Sequence, residues 1–228
     1  MITNKKNTGF TLVELSISIV IIMLIFSLIT TASHIQNVTK LKKTIQEFVR
    51  YNDAYRSFEF QYDNIPGDLH TATQYWSGVS NGDGDKSIQW YTEGYYAWEH
   101  LDRADLVAGT YDGTTNGTYD AVPNVNVPVS AFSPQIVWSA FGHVNADTAA
   151  LYLGVPTTST ARVSESSLIP KDAYYIDSKF DDGYPATGNL IIGGAIDSDN
   201  CIDNLSASPL KYDLDIATAA CDPYFVLN

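Results

Sequence analysis

The sequence predicts an α+β fold, with one long N-terminal helix packed on a C-terminal domain built around an antiparallel β-sheet. Three observations lead there. After Gly9, neither glycine nor proline appears until Pro66 and Gly67, so the chain between them lacks a strong helix breaker. Within that stretch Ile35, Val38, Leu41, Ile45, Phe48, Asn52, Tyr55 and Tyr62 recur at spacings of three, four or seven, which places them on one helical face. Every proline and all other glycines lie from Pro66 onward, in a segment rich in Tyr, Asp and Thr with short β-like runs.

The first half of the helix is apolar. Phe10 to Ala32 contains one charged side chain, Glu14, and matches the roughly 20 residues a bilayer span needs. A carboxylate at that depth costs about 2.5–3.5 kcal/mol on insertion scales and calls for a partner. The second half carries Lys40, Lys42, Lys43, Glu47 and Arg50 opposite its apolar stripe. A continuous helix from Phe10 to Tyr62 is roughly 80 Å long at about 1.5 Å per residue. In the remainder, Glu93 to Leu106 is the expected second helix, with Ala97, Trp98 and Leu101 inward. Expected strands are Gln135–Phe141, Ala149–Leu153, Ala173–Ile176, Asn189–Ile196 and Tyr224–Leu227. The organisation is therefore 10–32 as the transmembrane half of the helix, 33–64 as its amphipathic half, and 65–228 as one globular domain.

Gly9-Phe10-Thr11-Leu12-Val13-Glu14-Leu15, behind a polar leader with Lys5 and Lys6, resembles the N-terminus of type IV prepilins and type II secretion pseudopilins. The resemblance implies a leader of residues 1–9, a membrane peptidase that cuts between Gly9 and Phe10, and methylation of the new N-terminal Phe10. It implies a structural subunit rather than an enzyme, polymerised through its N-terminal helix into a type II secretion pseudopilus or type IV pilus. Implied partners are other subunits, the prepilin peptidase and an inner-membrane assembly platform. Cleavage leaves a cationic amine near Glu14, and stacked subunits offer the amine of one chain to Glu14 of the next, aided by the helix dipole. Met23 and Thr31 stand where major subunits commonly carry Gly and Pro, which favours a pseudopilin or minor pilin. Two other readings stay open: a secretory signal peptide with an apolar core from Leu15 to Ile29, and a plain single-span anchor. An acidic residue beside such an apolar core is unusual for a signal peptide.

Net charge is −13, and residues 51–228 alone hold 7 Lys and Arg against 24 Asp and Glu, a net of −17. Such a surface repels phosphate backbones, which argues against direct nucleic-acid binding. Cys201 and Cys221 lack metal or redox spacing and form either a bridge or two buried thiols. The family resemblance favours the bridge, and with it a domain on the periplasmic side of the bacterial inner membrane.

Asn81, Asp83 and Asp85, followed by Ile88, resemble the start of an EF-hand calcium loop, with oxygen ligands at alternate positions. Lys86 replaces the usual turn glycine, Thr92 stands where the bidentate glutamate belongs, and Glu93 falls one residue late. The competing reading is a surface Asn/Asp/Gly turn. Asp177, Asp181 and Asp182 with Gly183 could also hold calcium, although a solvated turn is the favoured reading, and Asp197, Asp199 and Asp203 around Cys201 read as another acidic loop. His34, His70, His100 and His143 are scattered, and no nucleophile elbow, phosphate loop or cofactor fingerprint appears. Tyr75-Trp76, Trp90-Tyr91, Tyr95-Tyr96 and Trp98 read as core aromatics before a binding surface. The alternative function is a membrane-anchored, calcium-stabilised adhesion or ligand-binding domain that does not polymerise. An anchored periplasmic hydrolase is the enzymatic rival.

Overall fold

Helix α1 runs from Leu12 to Tyr62 without a break, as the absence of glycine and proline allows. A computed structural model describes residues 9–90, 92–114, 121–142, 149–156, 163–193 and 200–227, with backbone alone for 28–33 and 163–165. Two units divide the chain, Met1–Lys40 and Leu41–Asn228. In the first, the described apolar side chains from Phe10 to Phe26 are exposed. Among the described residues no helix is long and apolar enough to cross a membrane. The expected span at 10–32 includes 28–32, whose side chains lie outside the description.

In the second unit the order continues with α2 (Ala72–Tyr75), α3 (Glu93–Arg103), β1 (Val137–Gly142), β2 (Ala149–Pro156), β3 (Val163–Glu165), α4 (Pro170–Phe180), β4 (Leu190–Ile192) and β5 (Pro223–Val226). The sheet has the order β1-β2-β5-β4, antiparallel throughout, and β3 pairs β2 across a register shift. The architecture is α+β with a C-terminal antiparallel sheet. Leu41, Phe48, Tyr51, Ala54, Tyr55 and Phe58 of α1 are buried in the core. Phe48 meets Phe225 of β5 and Phe180 of α4 at ring separations of 4.9 and 5.1 Å, and Tyr51 meets Trp98 edge-on at 4.9 Å. Ala97, Trp98 and Leu101 of α3 are buried in that core.

One expected strand is corrected. Ala173–Ile176 lies inside α4, where Pro170 occupies the first helical turn and needs no backbone donor there. Pro170, Ala173, Ile176 and Asp177 are buried at helical spacing, so the run of β-forming side chains yields to a period of 3.6. Of the run expected at Asn189–Ile196, only Leu190–Ile192 pairs as a strand; 194–199, with Asp197 and Asp199, lies outside the described residues, as do Tyr91 and His143. At Gly193 a Cβ would overlap the Tyr224 ring, so the chain passes β5 only without a side chain.

One α1 side chain ties the helix to the sheet by hydrogen bonds. Glu47 accepts from the Ser130 hydroxyl at 3.1 Å, the Ala131 N–H at 2.9 Å and the indole N–H of buried Trp138 at 3.1 Å. Glu47→Ala leaves the Trp138 donor without that acceptor, and such a loss costs about 1–3 kcal/mol. Urea unfolding of the full chain in detergent should show that loss; an unchanged midpoint would mean the carboxylate contributes nothing.

Candidate functional site

The turn Pro66-Gly67-Asp68 follows α1, and Asp68 is fully buried. Its carboxylate gathers the glycine-rich loop beside it. The N–H groups of Gly84 (2.6 Å) and Asp85 (3.1 Å) donate to Oδ1, and that of Lys86 (2.9 Å) donates to Oδ2. Glu93, at the start of α3 and 3% exposed, accepts the Asp83 N–H on Oε1 at 2.8 Å and the Gln89 N–H on Oε2 at 2.9 Å. Lys86 adopts φ +68°, so it takes the left-handed conformation that calcium loops usually give to glycine.

The result is four carboxylates together: Asp68, Asp83, Asp85 and Glu93 each place an oxygen within 4.8 Å of the others. Asp83 and Asp85 were expected from the loop pattern. Asp68 was not, because it lies on a separate turn. Glu93 is one residue late for the linear pattern, yet α3 brings it in. The Asn81 side chain pairs with Thr73, accepting its N–H at 2.9 Å and donating to its hydroxyl at 3.2 Å. Burial raises both Asp68 and Glu93 from their ordinary values, against the N–H bonds that lower them; Asp85 and Asp83 add repulsion at Asp68, and Asp83 and Asp68 at Glu93. An all-oxygen, acid-rich donor set suits a hard cation such as calcium.

The acidic group at the end of α4 is wired differently. Asp177 accepts the Gly183 N–H (2.9 Å) and the Tyr212 hydroxyl (2.6 Å), Asp182 accepts the Tyr184 N–H (2.8 Å), and Asp181 accepts the Leu190 N–H (2.8 Å). These carboxylates close the loop between α4 and β4. Burial pushes Asp177 up to about 6. Nearby, Cys201 and Cys221 form a disulfide with both residues buried. Asp203 sits exposed beside it and donates its N–H to the Lys211 carbonyl.

His100 of α3 is fully buried and joins the two segments that carry the carboxylates. The Gly67 N–H donates to its Nδ1 at 2.9 Å, so the proton sits on Nε2 and donates to the Ser80 carbonyl at 2.8 Å. Burial lowers its pKa to about 4. The unfolded chain therefore binds the extra proton first, and this contribution to stability, complete above about pH 6.5, is lost as pH falls toward 4. The raised carboxylates titrate in the opposite sense, so the difference between variants isolates His100. The stability advantage of wild type over His100→Gln, from chemical unfolding, should shrink steadily between pH 7 and 4.5. A constant advantage would show that the imidazole does not titrate this way.

At the other end of the chain, Gly9 and Phe10 precede α1 in non-helical backbone, and Phe10 is 86% exposed. Among the described residues a Cβ at Gly9 meets nothing within 4 Å. Thr11 and Glu14 form a reciprocal cap. The Thr11 N–H (3.0 Å) and hydroxyl (2.8 Å) donate to Glu14 Oε2, and the Glu14 N–H donates to Thr11 Oγ1 at 3.2 Å. The Thr11 carbonyl accepts the first helical bond from Leu15 at 3.1 Å. The signal for this cap, Thr-x-x-Glu before an apolar run, stands in the sequence.

No curated protein and no solved structure matches the chain. One family description does, covering residues 4–30, which span Gly9, Phe10, Thr11 and Glu14. The chain thus carries the prokaryotic N-terminal methylation motif, the hallmark of type IV prepilins and pseudopilins.

Proposed function

We propose that this protein is a pilin-like structural subunit that is cut between Gly9 and Phe10, methylated on Phe10, and built into a type II secretion pseudopilus or a type IV pilus. The observation that carries this reading is the methylation motif at residues 4–30, joined to the capped helix start that holds Glu14 four residues from the new amine. Before assembly Phe10–Ala32 anchors the chain once in the bacterial inner membrane, with the disulfide-bonded domain in the periplasm. Its partners are other subunits, the prepilin peptidase and the assembly platform.

Local chemistry supports each step. Among the described residues nothing crowds Gly9, and Gly9 and Phe10 are both exposed, which suits a peptide that a peptidase must grip. Both Thr11 donors use Oε2 of Glu14. The neighbouring subunit's amine approaches through Oε1 and adds an opposite charge to a carboxylate that Thr11 satisfies only with neutral donors. The mature chain should begin at N-methylated Phe10 by intact mass, and Glu14→Ala should be processed normally yet fail to enter filaments. A mature start at Met1 or Ser33 would remove the reading.

The domain's second proposed property is a calcium ion. Asp83 and Asp85, joined by Asp68 and Glu93, supply the oxygens, while Asn81 fixes the loop's first turn through Thr73. The ion would relieve repulsion among carboxylates held close by the fold and stiffen the connection between α1 and α3. Calcium at about 100 times its Kd adds about 2.7 kcal/mol to stability. The full chain in detergent should melt higher with calcium than with chelator, and Asp68→Asn should abolish the difference. The gain should also fade on acidification, at higher pH than for unburied carboxylates because burial raises Asp68 and Glu93. Equal melting with and without the ion would eliminate the site.

A further inference from the structure

Phe60 is 94% exposed, more than any other large apolar side chain among the described residues. It stands near the end of α1, where Arg56, Ser57 and Gln61 share a shallow concavity with it and exposed Glu59 precedes it. Phe58 and Tyr62, on the same turns, meet with tilted rings at 4.4 Å on the side where Phe58 is buried. A single exposed apolar residue means little by itself. The same domain, however, also offers a receptacle.

A cavity of about 380 Å³ opens between α4 and the Cys201–Cys221 loop. Its apolar wall is Tyr174, Tyr184, Tyr212 and Leu214, with Asp182 and Lys211 beside them. The Tyr212 hydroxyl is held on buried Asp177, which fixes its ring, and Tyr174 lies 5.8 Å from that ring at 58°. Tyr174, Tyr184 and Leu214 are each 40–51% exposed, so the wall is uncovered. Such a concavity accepts an aromatic ring edge-on or offset.

We propose that Phe60 of one copy seats in this cavity of a second copy, with Arg56 meeting Asp182 and Glu59 meeting Lys211. The inference rests on the polymerising reading above and names the contact between neighbouring domains. The signs match at the contact itself: Arg56 and Glu59 flank Phe60, and Asp182 and Lys211 flank the cavity. Knob and cavity are different patches of one chain, so the contact is heterologous and repeats into an open array unless its rotation closes a ring.

The test uses the full chain in cells that assemble it, with sheared polymer measured. Phe60→Ala should lower polymer yield by about tenfold or more, while the domain's melting stays unchanged because the side chain is exposed. Glu59→Lys and Lys211→Glu should each lower the yield, and together restore it. Phe60→Cys combined with Leu214→Cys should give disulfide-linked ladders in the polymer. Normal polymer from Phe60→Ala, with no ladder from the cysteine pair, would overturn this contact and leave the subunit reading standing. Absence of polymer from the wild type would overturn both.

Discussion

The domain depends on the seam between α1 and the sheet. Leu41, Phe48, Tyr51, Tyr55 and Phe58 supply one helical face of large side chains, each no more than 4% exposed. At about 25 cal/mol per Å² of apolar surface removed from water, such a row outweighs any single polar contact in the domain. Glu47 adds direction to that burial. Its carboxylate reaches a hydroxyl, a backbone N–H and an indole N–H, and hydrogen bonds, unlike apolar contact, specify one register. α3 then closes the other side, with Trp98 against Tyr51.

The carboxylate cluster follows from the same seam. α1 ends at Tyr62 and its continuation turns Asp68 inward; α3 starts at Glu93 and turns its first side chain inward as well. The glycine-rich loop spans the gap and is pinned by N–H bonds to both acids. His100 locks the arrangement as a neutral ring that accepts from one segment and donates to the other. Four acids at such proximity repel one another, which makes a hard cation the natural complement.

Much of this was legible in the residues. The limits of α1 follow from the stretch without glycine or proline, and the inward set Ala97, Trp98 and Leu101 from helical spacing. β1, β2 and β5 follow from their apolar runs. Ala173 to Ile176 misleads because Tyr and Ile favour strands, while the decisive residue, Pro170, lies just outside the run. Asp68 stays hidden for another reason: its link to Gly84, Asp85 and Lys86 spans more than 15 positions and exists only once α1 and α3 are packed. The Thr11–Glu14 cap is local and readable, but charge alone directs attention to what lies outside the chain.

That cap bears on maturation. Its bonds run among residues 11, 14 and 15, all on the downstream side of the Gly9–Phe10 peptide. Proteolysis at that peptide leaves the cap's own bonds untouched. If the Gly9–Phe10 peptide is cut as proposed, conversion of precursor to product is an electrostatic event on a scaffold already wound: Lys5 and Lys6 would depart and one ammonium would be born four residues from Glu14.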